Sequence, residues 1–436
     1  LGALIWLTLT DDVRVWPLRN TLEYRLWQGW AGLSARLPAA MQGERLPGPP
    51  GRVRGTVRDA QGRPLEGARV LVTLRDGTAF EASSGAGGAY LIEAVPAGDY
   101  VPVAGAPGYA DAQLGSAWLP WTRVRVPSGG ETRTDVRLVP QDGPATGAGP
   151  GAGGVLLGPA APVSCDRPLQ SRAWRTPVTL GPQAGAGSAS AVGILYTPGQ
   201  VASDGAGGGG GQGPRWPLLL TVYPGPAAEW ECASLPLAEA GYAVLATGPA
   251  YSFEPERDVE DLARWLQQAR AGALPGVDGG RTALLGGSYS GLHVQRLLRR
   301  PADLRGVRAV VLLGAPSDLF DARRRLEDGT YVPPFGLDAA LVALGFPHRE
   351  PLRYWRYSGA YHVRRDQPPL ALIHSRQDEV VPFQQSEALA RRLAAVGAPY
   401  RLDVFEAASH YLLSEDGDAL AIYRLTLEFV GLQLTP

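Results

Sequence analysis

From Ser171 onward the chain alternates short, continuously apolar runs with longer segments whose apolar residues recur at helical spacing. That alternation leaves few folds open. The runs "SAVGILYTP", "WPLLLTVYPGP", "YAVLATG", "RTALLGG", "VRAVVLLGA", "PLALIHS" and "YRLDVFEA" are strand-length and apolar at successive positions, as strands covered on both faces must be. Between them, "EPERDVEDLARWLQQARAG", "LHVQRLLRR", "FQQSEALARRLAAVG" and "GDALAIYRLTLEFVGLQL" read as helices, the first with acids in its opening turn. Buried strands alternating with amphipathic helices predict an α/β fold built on a doubly wound, mostly parallel sheet.

The region before it has a different texture. From Val53 to about Leu138, "GRVRGTVRDAQGRPLEGARVLVTL" and "GGAYLIEAVPAGDYVPVAGAPGYAD" place β-branched residues at period two around Gly- and Pro-rich turns. A small antiparallel β-sandwich is expected there. The domain reading is a Trp- and Arg-rich helical lead-in over 1–50, a sandwich over 51–140, a Gly/Pro-rich linker over 141–162 and a catalytic domain over 163–436. A second low-complexity run, "SDGAGGGGGQG", is expected on a surface loop between two strands of the catalytic domain. Residues 316–366, rich in aromatics and arginines, interrupt the strand pattern as an insert expected to cap the site and shape an acyl pocket.

Charge excludes some functions. With 41 basic and 42 acidic residues the net charge is −1, so neither nucleic acid nor an anionic membrane is an expected partner. The opening "LGALIWLTL" is too short to span a bilayer. It reads equally as the stub of a signal or anchor segment and as an ordinary buried element. Two cysteines, Cys165 and Cys232, are too few for a zinc site but enough for one disulfide in an exported protein. The expected location is accordingly extracellular or periplasmic, with a missing N-terminal anchor as one option.

The chemistry centres on "LLGGSYSGLH". Gly286-Gly287-Ser288-Tyr289 fits the start of a G-x-S-x-G nucleophile elbow, but Ser290 holds the fifth position and the glycine arrives late, as Gly291. Ser288 nevertheless lies between a buried strand and a helix, where such an elbow belongs, and Ser290 is small. A serine hydroxyl needs a base, and the base an orienting carboxylate. Asp378 follows the strand "PLALIHS", and His410 follows the next, so all three leave the same edge of the sheet. Of the other histidines, His374 at a strand end reads as structural, His293 lies on the helix after the elbow, and His348 and His362 fall in the insert. Asp318 and the adjacent Glu379 are the rival acids.

Two resemblances add to this. The pattern G-x-V-x-D-x-x-G-x-P-L-x-G-A-x-V, the Gly88-x-Tyr90 step and "PAGDY" resemble the carboxypeptidase regulatory-like domain, which implies a transthyretin-like sandwich with no catalytic residues of its own. "LLLTVYPGP", "GVDGGRTALLGGSYSG" and "LALIHSRQDEVVPFQQSEAL" resemble the catalytic domain of the prolyl oligopeptidase family, an α/β-hydrolase fold, especially its dipeptidyl-peptidase branch. The resemblance runs from about Arg172 to the C-terminus. It implies Ser288 as nucleophile, Asp378 as acid and His410 as base. It also implies an oxyanion hole from the Tyr223 hydroxyl and the Tyr289 amide, and Val381 in the primary specificity pocket. The family's β-propeller is missing from this sequence, so dipeptidyl specificity is not implied. The expectation is a serine hydrolase acting on peptide or ester substrates, without metal or cofactor. A carboxylesterase for small-acyl, feruloyl-type or polyester substrates is the alternative, and a catalytically dead binding protein the rival of another class. Oligomeric state is left open.

Overall fold

The computed structural model describes residues 48–116, 119–141, 154–181, 191–201, 214–248, 255–334, 341, 344–406, 409–410 and 416–435. The expected lead-in over 1–47, the core of the linker and the Gly-rich run around 202–213 lie outside the described residues. The chain divides into two compact units, Leu1–Gln141 with Leu319–Arg356, and Asp142–Asp318 with Tyr357–Pro436.

The first unit contains the sandwich. Its strands are β1 (Gly51–Asp59), β2 (Arg69–Thr73), β3 (Ala79–Ser83), β4 (Ala89–Val95), β5 (Gly98–Tyr100), β6 (Val103–Gly105), β7 (Ala112–Gln113), β8 (Val124–Val126), β9 (Glu131–Arg133) and β10 (Val136–Leu138). One sheet runs β10-β1-β4 with β9 also on β1, a second runs β3-β2-β6-β7, and β5 pairs β8. The alternation read in the sequence is visible in β1, whose residues are buried and exposed in turn. Val53, Val57, Tyr90 and Ile92 from the first sheet meet Val70 and Val72 from the second in one apolar core.

The insert is divided between the units. Residues up to Asp318 and from Tyr357 onward stay with the second unit, whereas Leu319–Arg356 belongs with the sandwich. The insert's first helix, Leu319–Glu327, and its last, Pro351–Tyr357, carry the fully buried Phe320, Tyr354 and Trp355. The Trp355 indole donates to Asp111 Oδ1 at 2.8 Å, and a Cβ on Gly105 would sit 3.2 Å from the same ring. Trp355 thus packs with the sandwich, as does Phe346 against Arg75, whereas Tyr361 stays with the second unit.

The second unit holds β11 (Val155–Leu157), β12 (Ala161–Cys165), β13 (Ser171–Leu180), β14 (Ala191–Thr197), β15 (Trp216–Val222), β16 (Ala243–Thr247), β17 (Val277–Gly287), β18 (Val307–Leu313), β19 (Leu370–Ser375) and β20 (Tyr400–Phe405). Among the described residues they form a ten-stranded sheet in the order β11-β13-β14-β16-β15-β17-β18-β19-β20, with β12 on β13. The six strands from β16 to β20 are parallel, and β13 and β14 are antiparallel additions at one side. Composition alone assigned residues 155–162 to a linker; Val155–Leu157 and Ala161–Cys165 instead pair with β13, because backbone pairing at a sheet edge asks little of the side chains. The uniformly apolar runs are explained by burial on both faces. Leu218, Leu220 and Val222 of β15 face Trp265 and Leu266 on one side, while Leu219 and Tyr223 share the other with Leu235 and Tyr423. No helix among the described residues is long and apolar enough to cross a membrane.

Candidate active site

After β15 the chain runs to β16 on one side of the sheet, and after β17 it runs to β18 on the other. The C-terminal ends of β15 and β17 therefore flank the point where strand order reverses, the natural crevice of an open α/β sheet. Tyr223 follows one of these strands and Ser288 the other, with Val222 paired to Gly286.

Ser288 has φ +49°, a left-handed conformation costly for a side-chain-bearing residue and characteristic of a nucleophile elbow. The turn also shows why the motif tolerates its late glycine. A Cβ on Gly286 would lie 2.8 Å from Val294 Cγ2, and one on Gly287 would lie 2.6 Å from the Tyr223 ring. A Cβ on Gly291 would fall 2.3 Å from Ala315 Cβ. The tight contact beyond the serine thus sits at Gly291, while Ser290, fully buried, fits where it stands.

Ser288, His410 and Asp378 meet from the ends of β17, β20 and β19. His410 Nε2 lies 2.8 Å from Ser288 Oγ, and His410 Nδ1 lies 2.8 Å from Asp378 Oδ2 and 3.0 Å from Oδ1. Oδ1 of Asp378 also accepts from the Val380 and Val381 amides at 2.9 and 2.7 Å. Burial works to raise the Asp378 pKa, but hydrogen bonds and charge from His374 and His410 outweigh it and bring the group down to about 2. The carboxylate is charged at neutral pH. Gly314, at φ +51°, keeps the space behind the pair open: a Cβ there would stand 3.1 Å from Asp378 Oδ2 and 3.5 Å from the His410 ring.

His374, which the sequence placed among structural histidines, touches the same carboxylate. Its Nε2 is 2.9 Å from the Val381 carbonyl and 3.1 Å from Asp378 Oδ2, and its Nδ1 is 2.7 Å from Ser386 Oγ. A carbonyl can only accept, so Nε2 carries the proton. The rival acids are elsewhere. Asp318 accepts from the Tyr361 hydroxyl at 3.1 Å and its amide donates to Gln385, while Glu379 accepts from the His410 backbone amide at 3.2 Å. Val381 is buried and contributes its backbone to the acid loop on both sides.

Tyr223 is buried, which raises its pKa and keeps the hydroxyl protonated as a donor. Its ring stacks on Trp230 at 4.6 Å, and the Trp230 indole donates to the Pro224 carbonyl at 2.7 Å. Two residues further on, Cys232 is bonded to Cys165, tying the helix Glu231–Glu239 to the end of β12. Tyr289 meets the buried His293 edge-on at 5.1 Å.

Residues 253–435 match the model of the prolyl oligopeptidase family, and residues 52–139 match that of the carboxypeptidase regulatory-like domain. The chain is a serine hydrolase, and the part of it that carries Ser288, Asp378 and His410 lies within the stretch that matches the prolyl oligopeptidase family. The hydrolase has no match among curated protein sequences. It is similar to several solved structures. A truncated carbohydrate esterase from gut microbiota shows 17% identity over 56% of this chain and 91% of its own, with a TM-score of 0.43. The butyrate-bound esterase Est2 of the Planctomycetes species Thermogutta terrifontis shows 19% identity over 58% and 93%, with a TM-score of 0.42. The acylaminoacyl peptidase of Pyrococcus horikoshii shows 17% identity over 61% and 48%, with a TM-score of 0.41.

Proposed function

We propose that the hydrolase cleaves acyl bonds of peptides or esters with Ser288 as nucleophile, His410 as base and Asp378 as the orienting acid. The observation that carries this reading is the unbroken hydrogen-bonded line from Ser288 Oγ through the His410 ring to Asp378. Ser288 Oγ attacks the acyl carbon as its proton passes to His410 Nε2. Charge builds on the former carbonyl oxygen, where the Tyr289 amide and the Tyr223 hydroxyl serve as donors. Collapse of the tetrahedral intermediate breaks the bond to the leaving amine or alcohol, which takes the proton from His410. Water, deprotonated by His410, then attacks the acyl-enzyme and releases the acid and free Ser288. Asp378, charged throughout, holds the Nδ1–H tautomer and balances the imidazolium. Peptide bonds come first by family and ester bonds second. The Cys165–Cys232 bridge supports an exported, oxidising location.

Ser288→Ala should lower kcat by ~10⁴-fold or more and abolish labelling by a fluorophosphonate, with the fold retained. An unlabelled wild-type protein would point to a dead, binding fold. Labelling that persists in the variant would move the nucleophile, with Ser290 the first place to look. A panel of p-nitrophenyl acyl esters and peptide p-nitroanilides then separates a peptidase from a carboxylesterase.

A further inference from the structure

A phenol that stabilises charge on a substrate oxygen must already be in place when the charge appears, because a donor that has to turn into position contributes little. Tyr223 is buried, and its hydroxyl has no hydrogen-bond partner among the described residues. Its orientation therefore depends on what touches the ring. Gly287, the residue before Ser288, meets one edge: a Cβ there would lie 2.6 Å from the ring's Cδ1 and 2.8 Å from its Cε1. Trp230 covers a face of the ring, with centroids 4.6 Å apart and planes inclined by 28°.

Trp230 is itself firmly held. Its indole donates to the Pro224 carbonyl at 2.7 Å, and its own carbonyl accepts from Ser234 Oγ at 2.8 Å. Two residues on, Cys232 is bonded to Cys165 at the end of β12. The turn that brings Trp230 back over Tyr223 is stiff as well. Pro224 and Pro226 fix φ on either side of Gly225, which sits at φ +93°. The indole bond to Pro224 closes this short loop on the residue next to Tyr223, so ring and loop are held as one piece.

We propose that Trp230 is the positioning residue of the oxyanion hole. It acts through Tyr223, holding that ring against Gly287 so that the phenol keeps one orientation beside the turn that carries the nucleophile. This rests on Tyr223 being the oxyanion donor, as proposed above. An effect exerted through that hydroxyl belongs to the step in which charge develops, so it falls on kcat and not on KM.

The test is a double-mutant cycle on the full chain. Trp230→Leu, Trp230→Phe, Tyr223→Phe and the Tyr223→Phe/Trp230→Leu double variant are compared by p-nitrophenyl acetate kinetics and by the second-order rate of fluorophosphonate labelling. Rates are normalised to the fraction of protein that labels at completion, so misfolded molecules drop out. Tyr223→Phe should lose about a hundredfold or more in kcat, the scale of one oxyanion donor. Trp230→Leu should lose roughly tenfold in kcat, with KM little changed. Trp230→Phe keeps an aromatic face on Tyr223 and should recover most of that loss. In the Tyr223→Phe background, Trp230→Leu should cost little more. An equal loss in both backgrounds, wild-type kcat in Trp230→Leu, or Trp230→Phe no better than Trp230→Leu would overturn the role of Trp230 and leave that of Tyr223 standing. Full activity in Tyr223→Phe, or a wild type that never labels, would remove the donor and the proposal with it.

Discussion

His374 and His410 converge on one carboxylate oxygen: Asp378 Oδ2 lies 3.1 Å from His374 Nε2 and 2.8 Å from His410 Nδ1. The acid is thereby positioned by a second imidazole, itself fixed by Ser386 and the Val381 carbonyl. His374→Asn should lower kcat roughly tenfold to a hundredfold, as expected for one hydrogen bond to a charged group, with KM little changed. Steady-state kinetics and the rate of fluorophosphonate labelling should fall together. A KM effect with unchanged kcat would mean that His374 serves only packing.

The two candidate acids give opposite expectations. Asp378→Asn should cost ~10⁴-fold in kcat, the scale for a mis-oriented triad histidine. Asp318→Asn should stay within a few-fold, since Asp318 is bound to Tyr361 and Gln385. Side-by-side kinetics decide it, and the reverse ranking would overturn the assignment.

Acid titration offers an independent check on the same carboxylate. Asp378 falls from 3.8 to about 2 on folding, a depressed acid pKa. Its stabilisation, about 2 kcal/mol, is therefore fully present above the unfolded value and disappears as pH drops through about 2. Urea midpoints between pH 5 and pH 2.5 should decline more steeply for the wild type than for Asp378→Asn. Parallel curves would contradict the depressed pKa.

The Cys165–Cys232 bridge closes a loop with a sequence separation of 67 residues that contains Tyr223. A loop of this length stabilises by about 4 kcal/mol in the chain-entropy account. Cys232→Ser should lower the thermal midpoint by several degrees, and a reductant should do the same to the wild type only. Two free thiols in non-reduced mass spectra of the enzyme from its native compartment would remove the bridge and the argument for export.

Truncation tests the division into units. Removing residues 1–141 alone leaves Phe320, Tyr354 and Trp355 without the sandwich they pack beside, so this fragment should aggregate. Removing Leu319–Arg356 as well, with a short Gly/Ser join, should restore a soluble monodisperse protein. Light scattering and labelling at Ser288 read both outcomes; a soluble first fragment would contradict the boundary.

The meeting of Ser288, Asp378 and His410 was legible because each lies shortly beyond an apolar strand, and strands of one parallel sheet deliver such residues to one edge. Ser288, Asp378 and His410 are brought together by that rule plus chain order. His374 escaped because it lies within its strand, and only the loop over Val380 and Val381 turns Asp378 back toward it. A histidine followed by an acid four residues later was the available signal. The insert failed differently. Its apolar residues announced burial in Phe320 and Trp355, but burial names no partner, and Asp111 lies 244 positions from Trp355.

The discontinuity of the first unit bears on how the chain is made. A ribosome releases roughly 5–20 residues per second, so the stretch between Gln141 and Leu319 takes on the order of ten seconds or more to emerge. Throughout that interval the sandwich waits without its two insert helices, and Gly105 and Asp111 lack the indole that later covers them. Completion of the unit that starts first is thus deferred until most of the hydrolase sheet has been synthesised, a dwell in which a holdase could bind.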